Sequence, residues 1–212
     1  MTWKFDEEVA RTFPSHARSH IPQYKTVIEQ SIEVCDTYGK DAAIVDVGVA
    51  TGETISCLAD AGFTNLYGVD NSEAMLAECP KGIARLICSD TFPQDLAFDV
   101  VLMNWTLHFI AGKEAYLADI FRGLKPGGVL VLSEKVTDEV FPTRFYHAFK
   151  LRAGLTEAEI EEKARKLDGV MHINPVPWYF DKLASLGFED ISVINAFWCF
   201  ATFVARKPEG GD

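Results

Sequence analysis

Four positions that close short apolar runs carry residue types able to bind a charged nucleoside: Asp46, Asp70, Asp90 and Asn104. The first lies in Ile44-Val45-Asp46-Val47-Gly48-Val49-Ala50-Thr51-Gly52-Glu53, a hydrophobic run followed by small residues and a helix start. Gly48 and Gly52 permit backbone conformations and a close approach that a side chain would obstruct. The spacing is Asp-x-Gly-x-Ala-x-Gly and not Gly-x-Gly-x-x-Gly. A dinucleotide turn aims helix N–H groups at a pyrophosphate, and a carboxylate two residues ahead of the first glycine would repel that anion. Asp46 suits a ligand with a positive end. Asp70, 24 residues further on, closes Gly68-Val69-Asp70-Asn71-Ser72 and is placed to accept both hydroxyls of a ribose. Asp90, in Ile87-Cys88-Ser89-Asp90-Thr91, stands where an adenine amino group could donate, and Asn104 closes the fourth run. Three acids and an asparagine with no basic residue beside them match S-adenosylmethionine, which carries a sulfonium, an ammonium, a ribose and an adenine but no phosphate. Each acid alone also reads as a helix cap, and Asp70, Asn71 or Ser72 could cap the helix that follows. The four together favour the nucleoside.

His108, four residues past Asn104, has the intrinsic pKa of a general base. Leu107 and Phe109 flank it, so a packed, hydrogen-bonded histidine is the competing reading. His147 and His172 are weaker candidates for substrate contact. His16 and His20 stand four residues apart, as a metal pair on a helix would, but no third ligand is evident, and no metal is expected. The aromatics at Phe141, Phe145, Tyr146 and Phe149, with those between Trp178 and Phe203, read mostly as core, the first group also serving a dimer contact.

These residues need a framework that brings run ends together. From residue 42 onward, short β-branched runs at 42–47, 65–69, 84–88, 99–103 and 129–133 alternate with helical patterns at 53–61, 72–79 and 113–123. Apolar residues on both faces mark the runs as strands buried in a parallel sheet, and the alternation marks βαβ units. Two further runs, 191–195 and 198–205, follow a helix at 177–186 with almost no linker, so they form a hairpin and the last strand is antiparallel. The expected fold is α/β, a Rossmann-like doubly wound seven-stranded sheet with an antiparallel last strand and a helical lid. Residues 1–212 read as one domain, with 1–40 and 136–174 as the lid segments. Within them a first helix through Phe5, Val9 and Phe13 is expected to stop before Pro14. A second runs from Pro22 to about Tyr38, a third from Phe141 to Ala153, and a fourth from Thr156 to Leu167, opened by a capping box.

Composition narrows the function. The 212 residues include 20 Lys and Arg against 31 Asp and Glu, a net charge of −11. Such a field opposes a phosphate backbone or an anionic membrane, so neither direct nucleic-acid binding nor a membrane partner is expected. Five scattered cysteines with no Cys-x-x-Cys argue against a disulfide framework or structural zinc and for a reducing cytoplasm. The first residues lack a basic and then apolar leader, and no apolar run reaches a membrane-spanning length.

With Gly123-Leu124-Lys125-Pro126-Gly127-Gly128 before the fifth strand, residues 40–206 resemble the class I S-adenosylmethionine-dependent methyltransferases. Over nearly the whole chain the sequence is similar to the carboxy-S-adenosylmethionine synthase family. The likeness lies in Phe5-Asp6-Glu7-Glu8-Val9-Ala10, Ile21-Pro22-Gln23-Tyr24, Val69–Met75, Asn104–Phe109, Leu132-Ser133-Glu134-Lys135 and Val170-Met171. The resemblance puts Tyr24, Gly48, Val49, Ala50, Asp70, Asn71, Asp90, Thr91 and Asn104 at that family's ligand-contact positions. It implies S-adenosylmethionine, or a carboxylated derivative, as the cofactor. It also implies prephenate as a carboxyl source, a sulfonium ylide, a link to tRNA wobble-uridine modification, and an arginine holding the new carboxylate. At the arginine's position stands Ala164, with Arg165 one place on, about 100° round a helix; His108 stands where that family has Gln. The expectation is therefore methyl transfer to a small-molecule acceptor, with His108 and Arg165 as candidate catalytic residues. Carboxy-S-adenosylmethionine synthesis and non-catalytic binding of the nucleoside are the alternatives, and a homodimer is a further expectation.

Overall fold

The structure, a computed structural model, describes residues 6–210. Its centre is a seven-stranded sheet in the order β3-β2-β1-β4-β5-β7-β6. The strands are β1 (Ile44–Val47), β2 (Leu66–Asp70), β3 (Arg85–Cys88), β4 (Phe98–Asn104), β5 (Leu124–Lys135), β6 (Glu189–Phe197) and β7 (Phe200–Arg206). β1 to β5 are parallel. β7 lies between β5 and β6 and runs antiparallel to both; the two-residue connection Trp198-Cys199 requires this of the β6–β7 pair. In register, Asp46 faces Gly68 on one side and Leu102 on the other. The chain order reverses between β1 and β4, so the loops leaving these two strands turn to opposite faces of the sheet and leave a crevice at their carboxyl ends.

Alternation along β4 shows why its run is apolar on both sides. Val101 and Met103 belong to a core with Leu117, Tyr179 and Phe203, while Val100 and Leu102 join Ile44, Ile55, Leu58 and Val131 in a second core on the other face. Helices α3 (Glu53–Asp60) and α2 (Tyr24–Asp36) cover the second face; α5 (Lys113–Gly123) and α8 (Val176–Ser185) cover the first. One run read as buried, 84–88, is not. It becomes β3, which with β6 forms the sheet's edges, covered less fully, and most residues of β6 are exposed. No helix among the described residues is long and apolar enough to cross a membrane.

Pro14 does not end the first helix, which the sequence pattern stops there. α1 spans Glu7–His20 with Pro14 inside. Ala10, Ala17 and His20 form a buried stripe that continues past the proline, and Phe13 packs on Tyr24 and Ile28. That packing outweighs the one hydrogen bond a proline removes. Phe5, assigned to the same helix, lies outside the described residues. α6 (Val140–Arg152) and α7 (Glu157–Leu167) follow β5, the second opened by the expected capping box between Thr156 and Glu159. α6 has no buried residue, and Phe141 is 70% exposed, so its aromatics are not core. Phe145 instead stacks on Trp198 and Tyr146 meets Phe200 edge-on, so the helix rests its rings on the β6–β7 turn outside the core clusters.

Gly123 ends α5 against the ring of Phe92, a core residue, and a Cβ there would collide with Cε1. Gly123→Ala is expected to lose about 1–3 kcal/mol, read as a lower urea midpoint, with ligand binding at the strand ends unchanged. An unchanged midpoint would show that Phe92 yields freely.

Candidate active site

The turn after β1 is built by backbone geometry that the small residues allow. Gly48, Ala50 and Gly52 all have positive φ (74°, 49° and 83°). The N–H groups of Gly48 and Val49 both donate to Val69 O, at 2.7 and 3.0 Å, which ties the turn to the end of β2. A Cβ at Gly48 would lie 2.8 Å from Cβ of Thr106, so only glycine lets the turns after β1 and β4 approach this closely. Asp70 completes the frame. Its Oδ2 accepts from Ala50 N and its Oδ1 from Ser72 N, each at 2.9 Å. Ser72, rather than Asp70, caps α4 (Glu73–Glu78) by accepting from Met75 N at 3.2 Å.

These loops border a cavity of about 790 Å3, closed from the other side by α1, α6 and α7. That lies within the common range for small-molecule sites, about 300–1,000 Å3. Asp46 borders it at the end of β1. Its carboxylate is 3% exposed and has no hydrogen-bond or ionic partner among the described residues. Burial, and then the neighbouring Asp70 charge, push its carboxyl up to about 8. Burial also raises Asp70, against the backbone N–H groups of Ser72, Ala50 and Asn71. A buried carboxylate left unpaired needs a cation to ionise. Tyr24, in the first turn of α2, stacks on Trp105 with ring centroids 4.8 Å apart and makes a flat wall over the same space.

Other expected contact residues divide. Gly48, Val49, Ala50, Asn71 and Asp90 all border the cavity, Asp90 at its open edge. Asn104 borders it too, but it is held by the core: Oδ1 accepts from Ser133 Oγ at 2.8 Å, and Nδ2 reaches Ser31 Oγ at 3.5 Å. Thr91 does not border it; its N–H and hydroxyl close a turn with Ser89. Arg165 reaches the rim, but its side chain is 72% exposed and pairs with Glu162 on its own helix. His147 faces Glu157, away from the cavity.

His108 is buried and borders the cavity. It lies in a short 3-10 turn (Leu107–Phe109) after β4. Its Nδ1 stands 2.7 Å from Oε2 of Glu134 near the end of β5, while Oε1 of Glu134 accepts from Leu107 N at 2.9 Å. Glu134 is fully buried. A carboxylate accepts only, so Nδ1 carries the proton of this bond, and His108 is among the residues that border the cavity. The strap that crosses it is tied twice: His172 N donates to His108 O at 2.8 Å, and the Lys113 ammonium donates to His172 O and to Asn174 Oδ1. Glu134 is the partner that sequence pattern missed. Its signal is an acid that follows the apolar run Val129–Leu132 before the strand has ended, which a buried strand tolerates only with a partner.

A family model described as a methyltransferase domain matches residues 45–132. A carboxy-S-adenosyl-L-methionine synthase from Alteromonas mediterranea is 32% identical over 97% of this chain and 93% of that protein. One from Shewanella loihica is 30% identical over 97% and 93%. Among solved structures, an S-adenosylmethionine-dependent methyltransferase from Thermotoga maritima superposes with a TM-score of 0.69 at 18% identity, covering 97% of this chain and 99% of that one.

The donor set fits S-adenosylmethionine: a buried carboxylate without a partner among the described residues, a second acid beside it at the end of β2, and a turn with room for close approach. Because the folded pKa of Asp46 lies above the ordinary carboxylate value of 3.8, its contribution to stability is present below about pH 4 and lost as pH rises toward 8. A bound ammonium or sulfonium favours the ionised form, so affinity for S-adenosylmethionine is expected to rise from pH 6 to 7.5. Calorimetry on Asp46→Asn is expected to show binding at least about tenfold weaker at pH 7.5 and flat with pH. A wild-type curve parallel to the variant's would contradict the assignment.

Proposed function

This chain belongs to the carboxy-S-adenosyl-L-methionine synthase family, within the class I S-adenosylmethionine-dependent methyltransferases, and from that premise we propose that it transfers the methyl group to a small acceptor through His108 as general base. That it is an S-adenosylmethionine-dependent transferase follows from the family; the acceptor and the direction of the chemistry are the proposal. One observation carries it, the His108–Glu134 pair at 2.7 Å on the wall of the cavity.

The bound sulfonium supplies an electrophilic methyl carbon, and the protein supplies alignment and a proton acceptor. Asp46 would hold the cationic amino-acid part, Asp70 the ribose and Asp90 the edge of the purine, while Tyr24 and Trp105 shield the centre from water. Glu134 fixes the imidazole tautomer, and His108 Nε2 takes the proton that the acceptor's nucleophilic atom sheds as it gains the methyl group. The Lys113-anchored strap over His108 keeps bulk water from that proton.

Full-length similarity to proteins named carboxy-S-adenosyl-L-methionine synthases favours a second reading, in which prephenate supplies a carboxyl group to the donor. Against it, Ala164 offers no charge where the resemblance places the arginine, and Arg165 is engaged with Glu162.

Incubation with S-adenosylmethionine and a metabolite extract is expected to release S-adenosylhomocysteine, and His108→Ala to slow that release about 100-fold or more with donor affinity within twofold. Glu134→Gln can donate to Nδ1 and reverse the tautomer, so it is expected to slow release about tenfold or more. A carboxylated donor formed from prephenate, seen by mass spectrometry, or an unimpaired His108→Ala, would replace this reading with the second.

A further inference from the structure

The segment between α7 and α8, residues 168–174, is a wall with space on both sides. It contains no helix or strand and no buried residue. Gly169, Val170, Met171 and Ile173 border the cavity that His108 borders. Met171 and Ile173, together with His172 and Asn174, also border a second, outer hollow, whose far side is formed by Gly112, Lys113 and Trp178. At this point one thickness of chain divides the candidate active site from the hollow outside it.

Few bonds hold the wall in place. Near α7 the N–H groups of Val170 and Met171 donate to Leu167 O at 3.0 and 3.2 Å, a turn that ties the segment only to its own helix. Gly169 within that turn has φ 71°, and a Cβ there would meet nothing within 4 Å. It is the residue type that changes backbone direction at least cost. Beyond Met171, three hydrogen bonds among the described residues reach the body of the protein. His172 N donates to His108 O at 2.8 Å, and the Lys113 ammonium donates to His172 O and, at 2.6 Å, to Asn174 Oδ1. Two of the three come from one side chain.

Lys113 is an unusual choice for a structural pin. It is the first residue of α5, where the helix dipole disfavours a cation, and it is only 7% exposed. It forms no ion pair with a carboxylate among the described residues. Burial lowers its pKa, and the charge of Glu134 acts against that. The two oxygens of the segment, with the Trp178 ring 5.8 Å away, stand in for the water the ammonium has lost. Water can take the place of those oxygens when the segment moves. A segment held by exchangeable polar contacts, with no buried side chain of its own, opens at much lower free energy than the core.

We propose that residues 168–174 form a gate hinged at Gly169, that Lys113 is the positioning residue that pins it shut, and that the acceptor enters beside His108 through the outer hollow when it opens. The inference rests on the transferase reading of the cavity and adds the route of its second substrate. Opening breaks the bond to His108 O but leaves the turns after β1 and β2, which are tied to each other through Val69 and Asp70. A bound donor can therefore stay while acceptor and product exchange.

Amide hydrogen exchange followed by NMR tests the gate without an acceptor, on protein alone and saturated with S-adenosylhomocysteine. In the parent protein the His172 amide is expected to exchange at least about 100-fold faster than those of Val101 and Leu132 in the central strands, through local opening. Lys113→Met keeps the bulk and loses the donors, and is expected to speed the His172 amide about tenfold or more with the strand amides unchanged. Lys113→Arg can donate to both oxygens and is expected to stay within about threefold of the parent. Carbethoxylation of His108 by diethyl pyrocarbonate, located by peptide mapping, is expected to follow the same order with the donor site occupied. The gate would be overturned by a His172 amide as slow as the strands, or by a Lys113→Met protein with the parent's rates. Equal loosening of the strands in that variant, or His108 reactivity that ignores both variants, would also overturn it. Failure of S-adenosylhomocysteine to bind would overturn the transferase reading instead, and the exchange rates of the unliganded protein would still decide the gate.

Discussion

A single buried carboxylate sets the terms for the rest of the site. Asp46 lies at the end of the central strand β1, hydrogen-bonded sheet on both sides, and nothing in the described chain neutralises it. Carboxylates in such places stay protonated or wait for a cation. The surrounding structure keeps that need unmet. The turn between β1 and α3 spends its backbone N–H groups on Val69 and Asp70, and Arg18 on α1 is engaged by Glu53 at 2.6 Å. A site that withholds its own cations from one acid is prepared for a ligand that brings one.

The second constraint is the pairing of β4 with β5. It aligns Asn104 with Ser133 and so sets Glu134 one residue beyond, directly under the turn that carries His108. Sheet register, local turn geometry and tautomer choice are thus one arrangement. The same strand ends one residue later at Lys135, so the partner of His108 and a lysine that borders the cavity come from a single stretch, Ser133-Glu134-Lys135.

Much of the frame was readable from residue patterns because it follows local rules: β-branched runs, the Gly48 and Gly52 turn, the Thr156 capping box and the short hairpin before β7. The acids at the strand ends were readable because a parallel sheet delivers consecutive strand tips to one edge. What sequence could not give was mutual orientation. Asn104 was singled out for its position, yet its amide serves Ser133 and Ser31; Thr91 turned back on Ser89; Arg165 rotated to solvent. Pro14 was read as a stop because the packing of Phe13 and Ala17 against α2 is a tertiary matter. Lys135, Lys150 and Lys163 border the same cavity but were not read as site residues, because β5, α6 and α7 meet only once the helices close over the sheet.

The state of Asp46 is the most direct test. Carbon-13 NMR of the Asp46 carboxyl, titrated with and without saturating S-adenosylmethionine, should place its midpoint at about 8 in the free protein and well below neutrality in the complex. A midpoint in the ordinary aspartate range without ligand, or one that the ligand leaves where it was, would contradict the idea that this acid is held in readiness for a positive charge.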